Sequence, residues 1–227
     1  MAEEARDGGA PAKQGDRKAT ILRAAIEVFA TKGYQGCRIA DVAREAKVAY
    51  GLVYHYFKNK DELLQSVFRA GWEIFVTELR AAVARGQTLE ERVGGIAEVC
   101  FEAYRRDPRA VRVLVIQVAR SPAVGGRNRQ NAFEEIIRIC AQVFVDAKVG
   151  GELRPDFDPS LCAFLFFGAL EMGLTAMLMG GSGEPDPGAL ERAKRQVVES
   201  FLSGVENPEA AWKRNRSGTR SRAAKHA

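Results

Sequence analysis

Between Ile39 and Leu64 the chain reads IADVAREAKVAYGLVYHYFKNKDELL, two short helical patterns separated by room for no more than a tight turn. Ile39, Val42, Ala43 and Ala46 recur at the spacing of one helical face. Lys47, Val48 and Ala49 form the turn, with Val48 placed to plug the angle between the helices. Tyr50 to Tyr56 is a second short helix, rich in aromatics. Asn59 caps a third, with Glu62 three residues on as its capping-box partner. Two short helices at a steep angle, the second presenting its N-terminal side chains, have the geometry that enters a DNA major groove.

The side chains suit that task. Gly51 removes bulk where backbone meets a phosphate or base edge. Tyr54 and Tyr56 offer hydroxyls to phosphates and rings to sugars or thymine methyls. Lys60 adds a positive charge in the first turn of the next helix, where amide hydrogens already favour an anion. Arg38 can reach a guanine edge or a phosphate. Ala49, Tyr50 and His55 complete the expected DNA-binding set, whereas Phe57 reads as core.

This stretch resembles the tetracycline-repressor (TetR) family of bacterial transcription regulators. The resemblance runs from about Arg17 to Phe68 and rests on Phe29 with Gly33-Tyr34, on Ile39-Ala40-Asp41-Val42-Ala43, and on Tyr54-His55-Tyr56-Phe57-Lys58-Asn59-Lys60-Asp61-Glu62-Leu63. Three positions depart from the family pattern. Arg38 stands where a capping Thr is usual, Lys47 where Gly is usual in the turn, and Ala49 where Ser is usual.

Charge distribution points the same way. The net charge is +5 over 227 residues. From Lys13 to Arg69, eleven basic and six acidic residues leave +5. Residues 70–208 carry −3, and the tail from Glu209 carries +5. A basic head on a neutral-to-acidic body is the footprint of a DNA-binding protein. Cys37, Cys100, Cys140 and Cys162 are far apart and only two histidines exist, so neither a metal site nor a cofactor is expected. The cysteines read as core fillers in a reducing cytoplasm; Cys37, in a polar loop, is the one placed for a redox role. The first residues are acidic and Gly-rich, so no signal peptide is expected there.

The whole chain reads as all-α, with a three-helix head and a helical ligand-binding and dimerisation body. The expected boundaries are a disordered arm over 1–15, a head over 16–62, a body over 63–206 and a basic disordered tail over 207–227. Asp16 is placed to cap the first helix and Gly33 to end it. Thr88 with Glu91, Asp107-Pro108, Asp158-Pro159 and Asp186-Pro187 mark later helix starts. One helix is expected over about Pro108 to Ala119, and a break over Ser121 to Gly126.

Ser160 to Met179 carries a single charge, Glu171, and is long enough to span a membrane. Its mid-helix charge, the want of close Lys or Arg flanks and the missing aromatic belts argue instead for burial on two sides. Ala163, Gly168, Ala169, Gly173 and Ala176 permit close approach of a second subunit, so this helix and the next, which follows Asp186-Pro187 and carries Leu190, Ala193, Val197, Val198, Phe201, Leu202 and Val205, are expected to form a homodimer across a two-fold axis.

The family resemblance implies that the body senses a small molecule. Trp72, Phe75, Phe101, Tyr104, Phe144, Phe166 and Met172, with Gln117 and Glu171 as polar members, are the expected lining. Thr175 is a further polar candidate. The segment from Gly151 through Asp158 to Glu171 is similar to TetR-type regulators of fatty-acid degradation, which implies an acyl-coenzyme A effector. Arg105, Arg106, Arg109 and Arg112 are placed to meet its phosphates. No catalytic arrangement appears, so the chain is not read as an enzyme. The expected function is a repressor released from operator DNA by a small hydrophobic effector; a constitutive, non-specific DNA-binding protein is the alternative.

Overall fold

The computed structural model describes residues 14–118, 127–179 and 186–209, and the side chains of all of these but 14, 116–118 and 127–132. Residues 1–13, the expected break at 121–126 and the tail from 210 onward lie outside the described residues. Nine α-helices and no strand occur among the described residues. The all-α reading holds. The chain divides into two compact units between Val67 and Phe68.

In the first unit, α1 (Gln14–Gly36), α2 (Ile39–Glu45), α3 (Tyr50–Tyr56) and the opening turns of α4 (Lys60–Arg85) close over one core. Ile21, Ala25, Phe29, Val42, Val53, Phe57, Leu63 and Leu64 are buried in it. α1 begins two residues before Asp16, which lies in its first turn rather than capping it. Gly33, at φ 71°, interrupts α1 with a backbone that side chains resist. The start of α4 is fastened as its sequence dictates. Asn59 Oδ1 accepts the Glu62 amide at 2.8 Å, and the Glu62 carboxylate accepts the Lys58 amide at 2.7 Å.

The second unit holds the rest of α4 with α5 (Leu89–Arg106), α6 (Pro108–Arg112), α7 (Arg127–Val149), α8 (Pro159–Met179) and α9 (Pro187–Val205). Thr88 and Glu91 form a reciprocal capping box on α5. Asp107 and Asp186 each accept two amides at the starts of α6 and α9, both followed by proline at the first helical position. Asp158 caps α8 through a single amide, accepting that of Leu161 at 2.7 Å.

One helix differs from expectation. The α-conformation of α6 stops at Arg112, and Val113–Val118 continues as a π-helical turn. Apolar spacing carries no mark of this widening, and such turns recur at functional sites. A second feature without a signal in local spacing is Glu152, in the loop after α7. Its carboxylate accepts the first amide of α5, from Leu89, at 2.8 Å, and its carbonyl accepts the Asn207 amide at 2.7 Å. Leu153 is buried beside it and bridges to Glu206. The loop therefore fastens the start of α5 to the end of α9.

Among the described residues α8 is the one helix long and apolar enough to cross a membrane. It is two-faced in burial although uniform in composition. Cys162, Ala163, Phe166, Leu170, Leu174 and Leu178 are buried, while Leu161, Phe164, Leu165, Met172 and Met179 are exposed. Gly173 lies on the inward side. A Cβ there would stand 3.4 Å from Val197 Cγ2 of α9 and 3.7 Å from Phe101 Cζ of α5. Ala163, also expected to face a second subunit, is fully buried within its own chain.

Candidate functional site

α2, the turn and α3 set out the outward face of the head. The turn closes through Lys47 N–H to Arg44 O at 3.1 Å and Val48 N–H to Ala43 O at 3.0 Å. Lys47 adopts φ 53°, a left-handed conformation that costs a side-chain-bearing residue about 1–2 kcal/mol. That cost is the physical reason glycine suits this position. Ala49 is the N-cap of α3 and supplies no side-chain acceptor, which forgoes roughly 1 kcal/mol of capping.

Tyr50 and Tyr54 are both exposed on α3. Their hydroxyls lie 3.2 Å apart, with Tyr50 donating, and their rings meet edge-on at 5.1 Å. The hydrogen bond to Tyr54 pushes the Tyr50 pKa up, which keeps the Tyr50 hydroxyl a neutral donor. Gly51 beside them is exposed, and a Cβ there would meet nothing within 4 Å. Packing within the chain does not account for a glycine at this point of a helix. His55 is exposed and edge-on to Tyr56 at 5.2 Å, while Tyr56 itself is half-buried against Phe57.

Arg38 is exposed at the start of α2. Its amide donates to the Asp41 carboxylate at 2.9 Å, and Asp41 also holds the Lys32 ammonium at 2.8 Å. The Lys32 hydrogen bond, then the Arg38 amide, lower the Asp41 pKa. Asp41 thus caps α2 from its third residue, where the family pattern places a threonine before the helix. The Arg38 guanidinium is left pointing outward from a fixed backbone.

Two expectations need correction. Lys60 does not stand out as a spare cation. Its ammonium donates to the carbonyls of Tyr34 at 2.7 Å and Cys37 at 3.0 Å and lies 4.4 Å from the centre of the Tyr34 ring. Cys37 is not in open polar surroundings either. It is 3% exposed, its thiol donates to the Tyr34 carbonyl, and burial pushes its pKa up, which suppresses the reactive thiolate. Cys100 and Cys140 are pushed to about 12 by burial and are inert on the same grounds.

In the body the aromatic residues fall into separate groups. Phe144, Phe166 and Phe201 form one packed cluster with centroids 5.0–6.1 Å apart. Phe101 and Tyr104 are buried on α5. Trp72 stands apart on α4 between Phe68, stacked at 5.2 Å, and Phe75, tilted at 5.9 Å. Its indole nitrogen is buried with no hydrogen-bond acceptor among the described residues. Met172 is 63% exposed and does not line the interior. Glu171 is half-buried, and its carbonyl accepts the Thr175 hydroxyl at 2.8 Å. The side chain of Gln117 lies outside the described residues.

The arginines at the α5–α6 junction are engaged within the chain. Arg105 is paired with Glu102, and Arg106 with Glu78 and Glu102, the Glu102 pKa falling through the Arg105 contact first. Arg112 donates to the Leu178 carbonyl at 2.9 Å and so caps the end of α8. Phosphate recognition by Arg105 and Arg106 would compete with their carboxylate partners, whereas Arg112 spends one of its five donors on Leu178.

Residues 21–67 match the family model described as bacterial regulatory proteins, tetR family. These residues form a tetR-family regulatory domain. The chain is a DNA-binding transcription regulator and not an enzyme. Over 187 residues it is 25% identical to a fatty acid metabolism regulator protein of Bacillus subtilis, covering 82% of this chain and 94% of that one. Its fold is similar to the regulator FadR from Bacillus subtilis solved with stearoyl-CoA (TM-score 0.71, 24% identity, 82% of this chain and 98% of that one). It is also similar to AibR solved with isovaleryl coenzyme A and operator DNA (TM-score 0.64, 19% identity, 82% and 96%).

Two features of the body leave little trace in the sequence. Phe68 was not among the expected lining residues although it holds the Trp72 ring, and its place four residues before Trp72 on one helix was the available signal. Arg112 was read as a phosphate ligand because a helix-capping contact 66 residues away leaves no trace in local spacing.

Proposed function

We propose that this protein is a homodimeric repressor whose hold on operator DNA is released by a long-chain acyl-coenzyme A. The observation that carries this reading is the likeness, over 82% of the chain, to a fatty acid metabolism regulator of Bacillus subtilis. A fold of the same arrangement solved with stearoyl-CoA supports it. The body offers what an acyl chain needs: an apolar interior with few polar atoms, among them the Trp72 N–H.

Each head presents Tyr50, Gly51, Tyr54 and His55 to the major groove, and Arg38 to a base edge or phosphate beside it. The exposed α8 stripe of Leu161, Phe164, Leu165, Met172 and Met179 meets its counterpart in a second copy, with α9 alongside. The dimer sets two α3 helices roughly 34–36 Å apart, or a multiple of that, to read two half-sites. An acyl-CoA that binds a different spacing more tightly draws the population off the operator. A swing from 99% to 1% DNA-competent dimer needs a preference of about 10⁴-fold between the two states. Burial of a long acyl chain in only one of them is on that scale, at about 0.8 kcal/mol per methylene.

Footprinting on the DNA upstream of the protein's own gene tests this reading. Two protected half-sites, centres one helical turn or a multiple apart, are expected. Uniform protection without a boundary would make the protein a non-specific binder instead.

A further inference from the structure

Trp72 carries a polar atom that the fold leaves unused. Its Nε1–H is buried and unpaired, in a set of described residues whose other buried side-chain nitrogens and oxygens all have partners. Phe68 on one side and Phe75 on the other hold the indole at one orientation. One residue before it, Gly71 brings the α4 backbone close to the π-helical turn, with Leu114 Cδ1 3.7 Å from where a Cβ would stand. Phenylalanine would supply the same stacking without stranding a donor. A buried donor without a partner destabilises the protein that keeps it, so its retention calls for a reason.

The polar groups on α8 that were expected in the lining do not offer such a donor. The Thr175 hydroxyl is given to the Glu171 carbonyl at 2.8 Å. A Glu171 carboxylate accepts rather than donates and repels an anionic oxygen. We infer that the Trp72 Nε1–H is the donor that fixes the acyl oxygen of the effector, the thioester carbonyl of an acyl-CoA or the carboxylate of a free fatty acid. The inference rests on the acyl-effector reading above and adds to it the group that positions the ligand. A methylene in place of that oxygen strands the donor again, so the site selects for oxidised carbon at this point of the chain.

The test uses full-length protein, wild type and Trp72→Phe, with stearoyl-CoA, stearate and S-octadecyl-CoA, a thioether that lacks the carbonyl. Calorimetry should show Trp72→Phe weakening stearoyl-CoA binding about five- to thirtyfold while leaving the thioether unchanged. Its Tm should be unchanged or higher, since a stranded donor is removed. A loss seen with stearate in place of stearoyl-CoA keeps the donor role and assigns the oxygen to a carboxylate. Independently of the variant, the indole ¹⁵N–¹H resonance of wild-type Trp72 should move with stearoyl-CoA or stearate and not with the thioether, Trp212 serving as the internal control. Equal stearoyl-CoA and stearate affinity in the two proteins, or an unmoved resonance in a saturated complex, overturns the inference while the acyl-effector reading stands. Wild-type protein that binds none of the three overturns both.

Discussion

The Lys60 ammonium sits 2.7 Å from the carbonyl oxygen of Tyr34, and the same cation lies over the face of that residue's ring. The contact joins the first turn of α4 to the end of α1 across 26 residues of chain, with the Cys37 carbonyl as a second acceptor. Lys60→Met should therefore lower the stability of the head by about 1.5–3 kcal/mol, the worth of a hydrogen bond to a charged group. Operator affinity should fall with it, while the slope of affinity against salt stays the same. Denaturant unfolding and a salt titration check this; a shallower slope at unchanged stability would return Lys60 to the DNA contacts.

Gly51 separates folding from binding. A helix position with open space around it should accept alanine and gain about 0.5–1 kcal/mol. If the α3 backbone approaches DNA there, the added methyl should cost at least about tenfold, or 1.4 kcal/mol, in operator affinity. Thermal melting and fluorescence anisotropy of Gly51→Ala measure the two effects. A stabilised variant with undiminished affinity would remove Gly51 from the interface.

Asp41 makes the head sensitive to acid. Its pKa is lowered in the folded state by the Lys32 hydrogen bond and the Arg38 amide. The resulting stability is fully present above the unfolded value, about 3.9, and is lost as pH falls through the lower folded value. Asp41→Asn should thus melt below wild type at pH 7, with the gap closing as pH is taken below about 4. A gap independent of pH would show that the carboxylate charge contributes nothing.

On α8, Leu165 is 58% exposed and should tolerate glutamate within the monomer. Leu165→Glu should break the dimer at micromolar concentration by light scattering, with the helix content of the monomer retained. Gly173→Leu acts differently because its Cβ points at Val197 and Phe101. Overpacking there should cost about 1–3 kcal/mol of stability. A dimer unaffected by Leu165→Glu would move the interface off this stripe.

Much of the fold was legible because helix signals are local. Apolar spacing and caps such as Asn59, Thr88, Asp107 and Asp186 carry their own evidence within four residues. The face of α8 was not legible, since a helix that is apolar all round has no periodicity to read, and Met172 and Gly173 were assigned to the wrong sides for that reason. The roles of Lys60 and Arg112 depend on carbonyls 23 to 66 residues away and could only come from the fold. The glycine that the family places at Lys47 did carry a signal, and the φ of 53° is its cause.

In the proposed mechanism an acyl ligand in the body controls DNA binding by the head. Titration of stearoyl-CoA into the footprinted operator complex, followed by anisotropy with free coenzyme A as control, tests it most directly. Release is expected at a stoichiometric or modest excess of stearoyl-CoA, and none with coenzyme A. An operator complex that withstands saturating stearoyl-CoA, with the ligand demonstrably bound, would contradict it.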